Sequence, residues 1–65
     1  MTAYILHAET RGVSLDLALM SPRGWSQMSE VERDEYMLFR AADELQRRGL
    51  RPRRIEFDYC AIVQS

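Results

Sequence analysis

The stretch VSLDLAL, residues 13–19, alternates strictly between large apolar side chains and polar or small ones. The apolar set is Val13, Leu15, Leu17 and Leu19, and the other set is Ser14, Asp16 and Ala18. A period of two is typical of a strand that turns one face to the core and the other to solvent. We therefore predict a half-buried strand over residues 13–19.

A second apolar run, YILHA at residues 4–8, precedes this strand and is interrupted only by His7. This run predicts a strand over residues 3–8 in a more central position of the sheet. Thr10-Arg11-Gly12 separates the two runs, and Gly12 can adopt the positive φ of a tight turn. The two strands are therefore expected to form a hairpin.

A helix is predicted over residues 30–48. Ser29 and Glu32 have the spacing of a capping box, and Gly49 is a natural left-handed stop after the basic pair Arg47 and Arg48. The helical period predicts a buried stripe of Val31, Leu38, Ala42 and Leu45, flanked by Phe39 and Ala41, with Tyr36 and Met37 outside it.

The final segment, residues 54–63, is predicted to be the third strand. Ile55, Phe57 and Tyr59 alternate with Arg54, Glu56 and Asp58. The alternation is lost after Tyr59, which is typical of either a bulge or a covered strand end. Cys60 is expected to be a small buried apolar residue.

The order β-β-α-β predicts a single α+β domain over residues 1–65. We expect an antiparallel three-stranded sheet in the order 2-1-3, because this order places the most apolar strand in the centre, with the helix on one face. The order 1-2-3, which contains a parallel pair, is the alternative.

Composition limits the protein class. A hydrophobic share of 46% is that of a globular chain, and the net charge is −1, with arginine as the only basic residue type besides one histidine. One cysteine cannot form an internal disulfide, and the N-terminal segment lacks the basic region of a signal peptide. No apolar run approaches the ~18–20 residues of a membrane span. We expect a cytoplasmic protein with no membrane association.

The sheet face opposite the helix is predicted to be acidic. It would carry His7, Glu9, Ser14, Asp16, Glu56 and Asp58, with Ile5 among them. One interpretation is a solvated face kept polar for solubility. The other is a docking surface for a basic partner, or a mimic of nucleic-acid charge. A metal or acid–base site around His7 is a further alternative, but no ligand spacing supports it.

Arginine is concentrated in the segment RRGLRPRR, residues 47–54. Arg47 and Arg48 suit the helix dipole, whereas Arg51, Arg53 and Arg54 are free to contact phosphate or an acidic protein surface. Trp25 and Tyr36 are residue types that dominate binding hot spots. The alternative for Trp25 is that it covers an open end of the core.

No nucleophile motif, metal-ligand cluster or phosphate loop stands in the sequence, so we predict neither enzyme activity nor a cofactor or metal. A protein-binding module accounts for the segregated charge and the spare aromatic residues. A small nucleic-acid-binding or regulatory protein that uses the Arg47–Arg54 segment is the alternative function.

The small size, single domain, charge-segregated surface and lack of catalytic motifs resemble the small inhibitors of bacteriophages and mobile elements, of which anti-CRISPR proteins are the best known. The resemblance implies a non-catalytic inhibitor in the cytoplasm of a bacterial host. Its partner would be a protein of a nucleic-acid-handling complex, such as a CRISPR–Cas effector subunit, bound by a monomer or weak homodimer. From the face argument, the candidate partner-binding residues are Glu9, Asp16, Glu56, Asp58, Tyr36 and Trp25.

Overall fold

The computed structural model describes residues 2–62. Its elements are β1 (Ala3–Thr10), β2 (Val13–Met20), a short 3₁₀ helix (Trp25–Gln27), α1 (Glu30–Arg47) and β3 (Glu56–Ala61). The sheet order is β2-β1-β3, and both strand pairs are antiparallel. The predicted α+β class and the 2-1-3 order are therefore confirmed.

The hairpin is tighter than the sequence pattern indicated. β1 continues through Thr10, which pairs with Val13, so that only Arg11 and Gly12 form the turn. Both residues have positive φ, 48° for Arg11 and 78° for Gly12. These angles are those of a type I′ turn, whose twist matches that of the strands it joins.

The core lies between α1 and the inner face of the sheet. Its buried apolar residues are Leu6, Ala8, Leu15, Leu19, Trp25, Met37, Ala41 and Leu45. Leu6 and Ala8 on the central strand are fully buried, because β1 has a neighbour on each side and a helix above it.

The predicted buried stripe of the helix is wrong except for Leu45 and the flanking Ala41. Met37, Ala41 and Leu45 face the sheet, whereas Val31 and Phe39 are 66% and 67% exposed and Leu38 is also exposed. The helix carries two apolar stripes, and periodicity alone cannot say which one packs.

Three contacts made by the helix show why this orientation is adopted. Arg33 Nε donates to the carbonyl oxygen of Trp25, and Tyr59 Oη donates to Asp34 Oδ1 on the first turns of α1. Tyr36 packs against the Trp25 ring. These contacts turn the side of α1 that carries Met37 toward the sheet.

Both predicted helix ends are confirmed. Ser29 and Glu32 form the reciprocal capping box. At the other end, the amide of Leu50 donates to the Leu45 carbonyl and that of Gly49 to Gln46, the two bonds of a Schellman ending. Among residues 2–62, no helix combines the length and the apolar character needed to cross a membrane.

β3 is shorter than predicted: it begins at Glu56 rather than residue 54. Its pairing with β1 runs without a bulge from Glu56 to Ala61, so successive side chains continue to point to opposite faces of the sheet after Tyr59. Cys60 is exposed, which corrects the expectation of burial, because this position points to the side of the sheet that lies opposite α1 and that no element among residues 2–62 covers. The predicted end at Val63 lies outside the described residues.

Candidate functional site

No helix or strand among residues 2–62 covers the side of the sheet opposite α1, and we call this side the open face. Strand pairing arranges its side chains in cross-strand rows. Glu9 lies between Ser14 and Glu56, His7 lies between Asp16 and Asp58, and Ile5 lies between Ala18 and Cys60. The structure thus brings together all four carboxylates of the predicted partner-binding set: Glu9, Asp16, Glu56 and Asp58.

His7 is the centre of this face and is bound to carboxylates on two sides. Its Nε2 lies 3.0 Å from Glu9 Oε1, and its Nδ1 lies 2.6 Å from Asp16 Oδ1. The hydrogen bonds to Glu9 and then Asp16 raise the pKa of His7 from 6.5 to about 9. At neutral pH the ring is therefore protonated and donates from both nitrogens.

The open face remains acidic with His7 charged. Four carboxylates and one imidazolium carry a net charge of −3. Strands lie ~4.8 Å apart and same-face residues of one strand are ~7 Å apart, so the patch measures roughly 10 by 7 Å. It presents concentrated negative charge on a rigid backbone rather than on loops.

The other end of the open face is apolar. Ala3, Ile5, Ala18 and Cys60 supply small or half-exposed surface, and Met20 beside them is 51% exposed. Ile62, whose amide donates to the Ala3 carbonyl, extends this apolar end and is also exposed. The sequence pattern placed Ile5 and Ala18 on this face. It did not include Met20, because the predicted strand ended at residue 19, or Cys60, because Cys60 was expected to be buried.

Trp25 and Tyr36, the two aromatic residues of the predicted contact set, do not lie on the open face. Trp25 is only 8% exposed and is packed against Tyr4, Tyr36 and Tyr59 at centroid distances of 5.3–6.1 Å. Its Nε1 donates to Tyr4 Oη, and the Arg33 guanidinium lies 5.0 Å above its ring. Trp25 therefore closes one end of the core, as the alternative interpretation predicted. Tyr36, which was placed outside the buried stripe as a contact residue, is instead a half-buried ring of the same cluster.

The structure separates the arginine segment into three groups. Arg47 and Arg48 pair with Asp43 and Glu44 one turn earlier. Arg51 lies beside Gln46, Gly49 and Pro52. Arg53 and Arg54 line a cleft at the hairpin end, together with Arg11, which sequence reasoning missed because it lies 42 residues earlier in the chain.

A metal site around His7 is the alternative role of the open face. Among residues 2–62, no group of three or more histidine, cysteine, aspartate or glutamate side chains has the arrangement to hold a metal ion. The hydrogen bonds of His7 to Glu9 and Asp16 occupy both of its ring nitrogens. The geometry thus gives this imidazole a role in fixing two carboxylates.

What the open face can do chemically follows from its surface. It offers acceptor oxygens at one end and apolar carbon at the other. Comparison with models of known protein families, with curated proteins and with solved structures found no match.

Proposed function

We propose that this chain is a non-catalytic binding protein that docks the open face of its sheet onto a basic protein surface. The partner is a component of a nucleic-acid-handling complex, and binding blocks access of nucleic acid to it. A CRISPR–Cas effector in a bacterial cytoplasm is the partner class in view, in keeping with the resemblance to anti-CRISPR proteins. The observation that carries the proposal is the gathering of Glu9, Asp16, Glu56 and Asp58 on one uncovered sheet face.

Charge supports a basic partner. A surface that binds nucleic acid is lined with arginine and lysine, and a net charge of −3 in a patch of roughly 10 by 7 Å complements it. Complementary potentials raise the association rate and disfavour acidic partners. The protonated His7 holds Glu9 and Asp16 in place, so less side-chain freedom is lost when these carboxylates meet arginine.

Apolar surface beside the acidic patch favours docking over a purely solvated face. A face that serves only solubility is expected to be polar throughout, whereas the apolar side chains of Met20 and Ile62 are exposed next to Ile5. In protein interfaces, apolar contact supplies much of the free energy and a polar rim supplies orientation. The open face contains both parts side by side.

The proposal is tested by affinity capture with the tagged protein from lysate of a bacterium that has an active CRISPR–Cas system. A parallel sample is treated with nuclease, and retained proteins are identified by mass spectrometry. We expect effector subunits in both samples, and inhibition of target binding when the purified effector is mixed with the protein in equal amounts. Capture that disappears with nuclease would show binding through nucleic acid and would contradict the proposal.

A further inference from the structure

The hairpin end of the sheet contains a cleft that borders the open face at Glu9 and Glu56 and whose arginine residues the open-face proposal does not use. Its volume is about 500 Å³, within the range of small-ligand sites. The turn between β1 and β2 forms one wall, and the segment before β3 forms the other. Thr10 joins the two walls, because its buried hydroxyl donates to the Arg54 carbonyl oxygen at 2.7 Å.

Three arginine residues line this cleft: Arg11, Arg53 and Arg54. Glu9 and Glu56 also line it, yet among residues 2–62 none of the three arginines forms an ion pair with either carboxylate. Each guanidinium group therefore keeps its donors free for a ligand. Arginine presents a planar fork of N–H donors that matches the oxygens of a phosphate group.

The backbone at Arg11 gives independent support. The first position of a type I′ turn favours Asn, Asp or Gly, because φ is positive there. Arg11 takes that position with a φ of 48°, which is unfavourable for a side chain of this kind. Unfavourable backbone conformations cluster at ligand-binding sites, so a non-glycine residue with positive φ in the lining of a cleft favours a functional role there.

We infer that the cleft between the hairpin turn and the Arg53–Arg54 segment binds a phosphate group, with Arg11, Arg53 and Arg54 as its ligands. The phosphate belongs either to a small organic phosphate or to a nucleic-acid backbone. Arg51 takes no part, because it lies at a separate place beside Gly49 and Pro52. This site goes beyond the proposed function: it shares Glu9 and Glu56 with the open face, but docking of that face does not use the three arginines.

Amide chemical-shift mapping at low salt tests the inference, with pyrophosphate, AMP and a short single-stranded oligonucleotide as probes. We expect shifts concentrated at residues 10–14 and 53–54. The double variant Arg53→Gln/Arg54→Gln should bind at least about tenfold more weakly. Its matched control is Arg23→Gln/Arg51→Gln, which removes the same charge from exposed positions outside the cleft and should keep the affinity.

Two single variants separate binding from folding. Arg11→Asn suits the turn better, so it should lower phosphate affinity without lowering the melting temperature. Glu56→Gln removes a carboxylate that would repel a bound phosphate and should tighten binding about two- to fivefold.

The probes identify the source of the phosphate. Binding of AMP and pyrophosphate as strong as that of the oligonucleotide indicates a small phosphate ligand, whereas binding of the oligonucleotide alone indicates a nucleic-acid backbone. Either pattern of binding supports the site, provided that the Arg53→Gln/Arg54→Gln variant loses that binding. No shift with any probe, or equal weakening by the two double variants, would overturn the inference.

Discussion

The imidazole of His7 and the carboxylate of Asp16 meet across β1 and β2, with Nδ1 and Oδ1 2.6 Å apart. The two residues are direct partners in the strand register, so the backbone itself sets this contact. Glu9, two residues along β1, binds the other ring nitrogen. A single histidine thereby orders two of the four carboxylates through which we propose that the protein binds its partner.

The first prediction concerns the pKa of His7. Because both ring nitrogens donate to carboxylates, titration followed by NMR should give a pKa of about 9 instead of the ordinary 6.5. Since this chain has one histidine, its ring signals need no assignment. Asp16→Asn should lower the pKa, whereas Asp58→Asn, which removes a neighbour without a hydrogen bond to the ring, should lower it less. A wild-type value near 6.5 would show that the two contacts are absent in solution.

The second prediction concerns stability as a function of pH. The folded state raises the pKa of His7, so its contribution to stability is complete below about 6.5 and is lost as pH rises toward about 9. The free energy of unfolding should therefore fall across this window. In His7→Gln the fall should be smaller. Identical profiles for the two proteins would contradict the prediction.

The third prediction tests which side of α1 packs. Met37 is fully buried, so Met37→Ala should cost about 2–5 kcal/mol in urea unfolding. Phe39 is mostly exposed, so Phe39→Ser should change stability by no more than about 0.5 kcal/mol. The opposite ranking would mean that α1 packs through the stripe predicted from the sequence.

The fourth prediction concerns the end of α1. Gly49 has a φ of +85°, and no atom lies within 4 Å of where a Cβ would stand, so the cost of Gly49→Ala is conformational alone. We expect a loss of about 1–2 kcal/mol. Gln46→Ala, an exposed change one turn earlier, should be close to neutral. A neutral Gly49→Ala would contradict the Schellman ending.

Local signals in the sequence were sufficient for the architecture. The alternation in β2, the capping box at Ser29 and the glycine at position 49 each report on a few neighbouring residues, and each was confirmed. The strand order also followed, because the run at residues 4–8 is the most apolar of the three strands, interrupted only by His7, and the most apolar strand is expected in the centre. The four open-face carboxylates were predictable from the alternation, because a period of two along each strand assigns every side chain to one face of the sheet.

Features that depend on long-range packing were not predictable. The helix has two apolar stripes, and the choice between them depends on Arg33, Asp34 and Tyr36 meeting Trp25 and Tyr59. The cleft brings Arg11 to Arg53 and Arg54 through the pairing of β1 with β3, which sequence spacing does not report. The exposure of Cys60 is also a long-range feature, because it depends on which face of the sheet α1 covers.

The central claim is that the open face is the surface that docks onto a basic protein. The most direct test measures the affinity of a captured effector for two triple variants of equal charge. Asp16→Asn/Glu56→Gln/Asp58→Asn alters the open face, and Glu30→Gln/Glu35→Gln/Asp43→Asn alters the exposed side of α1.

Protection of the Cys60 thiol from alkylation reports occupancy of the open face, because Cys60 lies exposed in the row beside Ile5. We expect the open-face variant to lose binding at least about tenfold, the helix variant to bind like wild type, and bound partner to protect Cys60. Wild-type affinity in the open-face variant, together with an unprotected Cys60 in the complex, would contradict the claim.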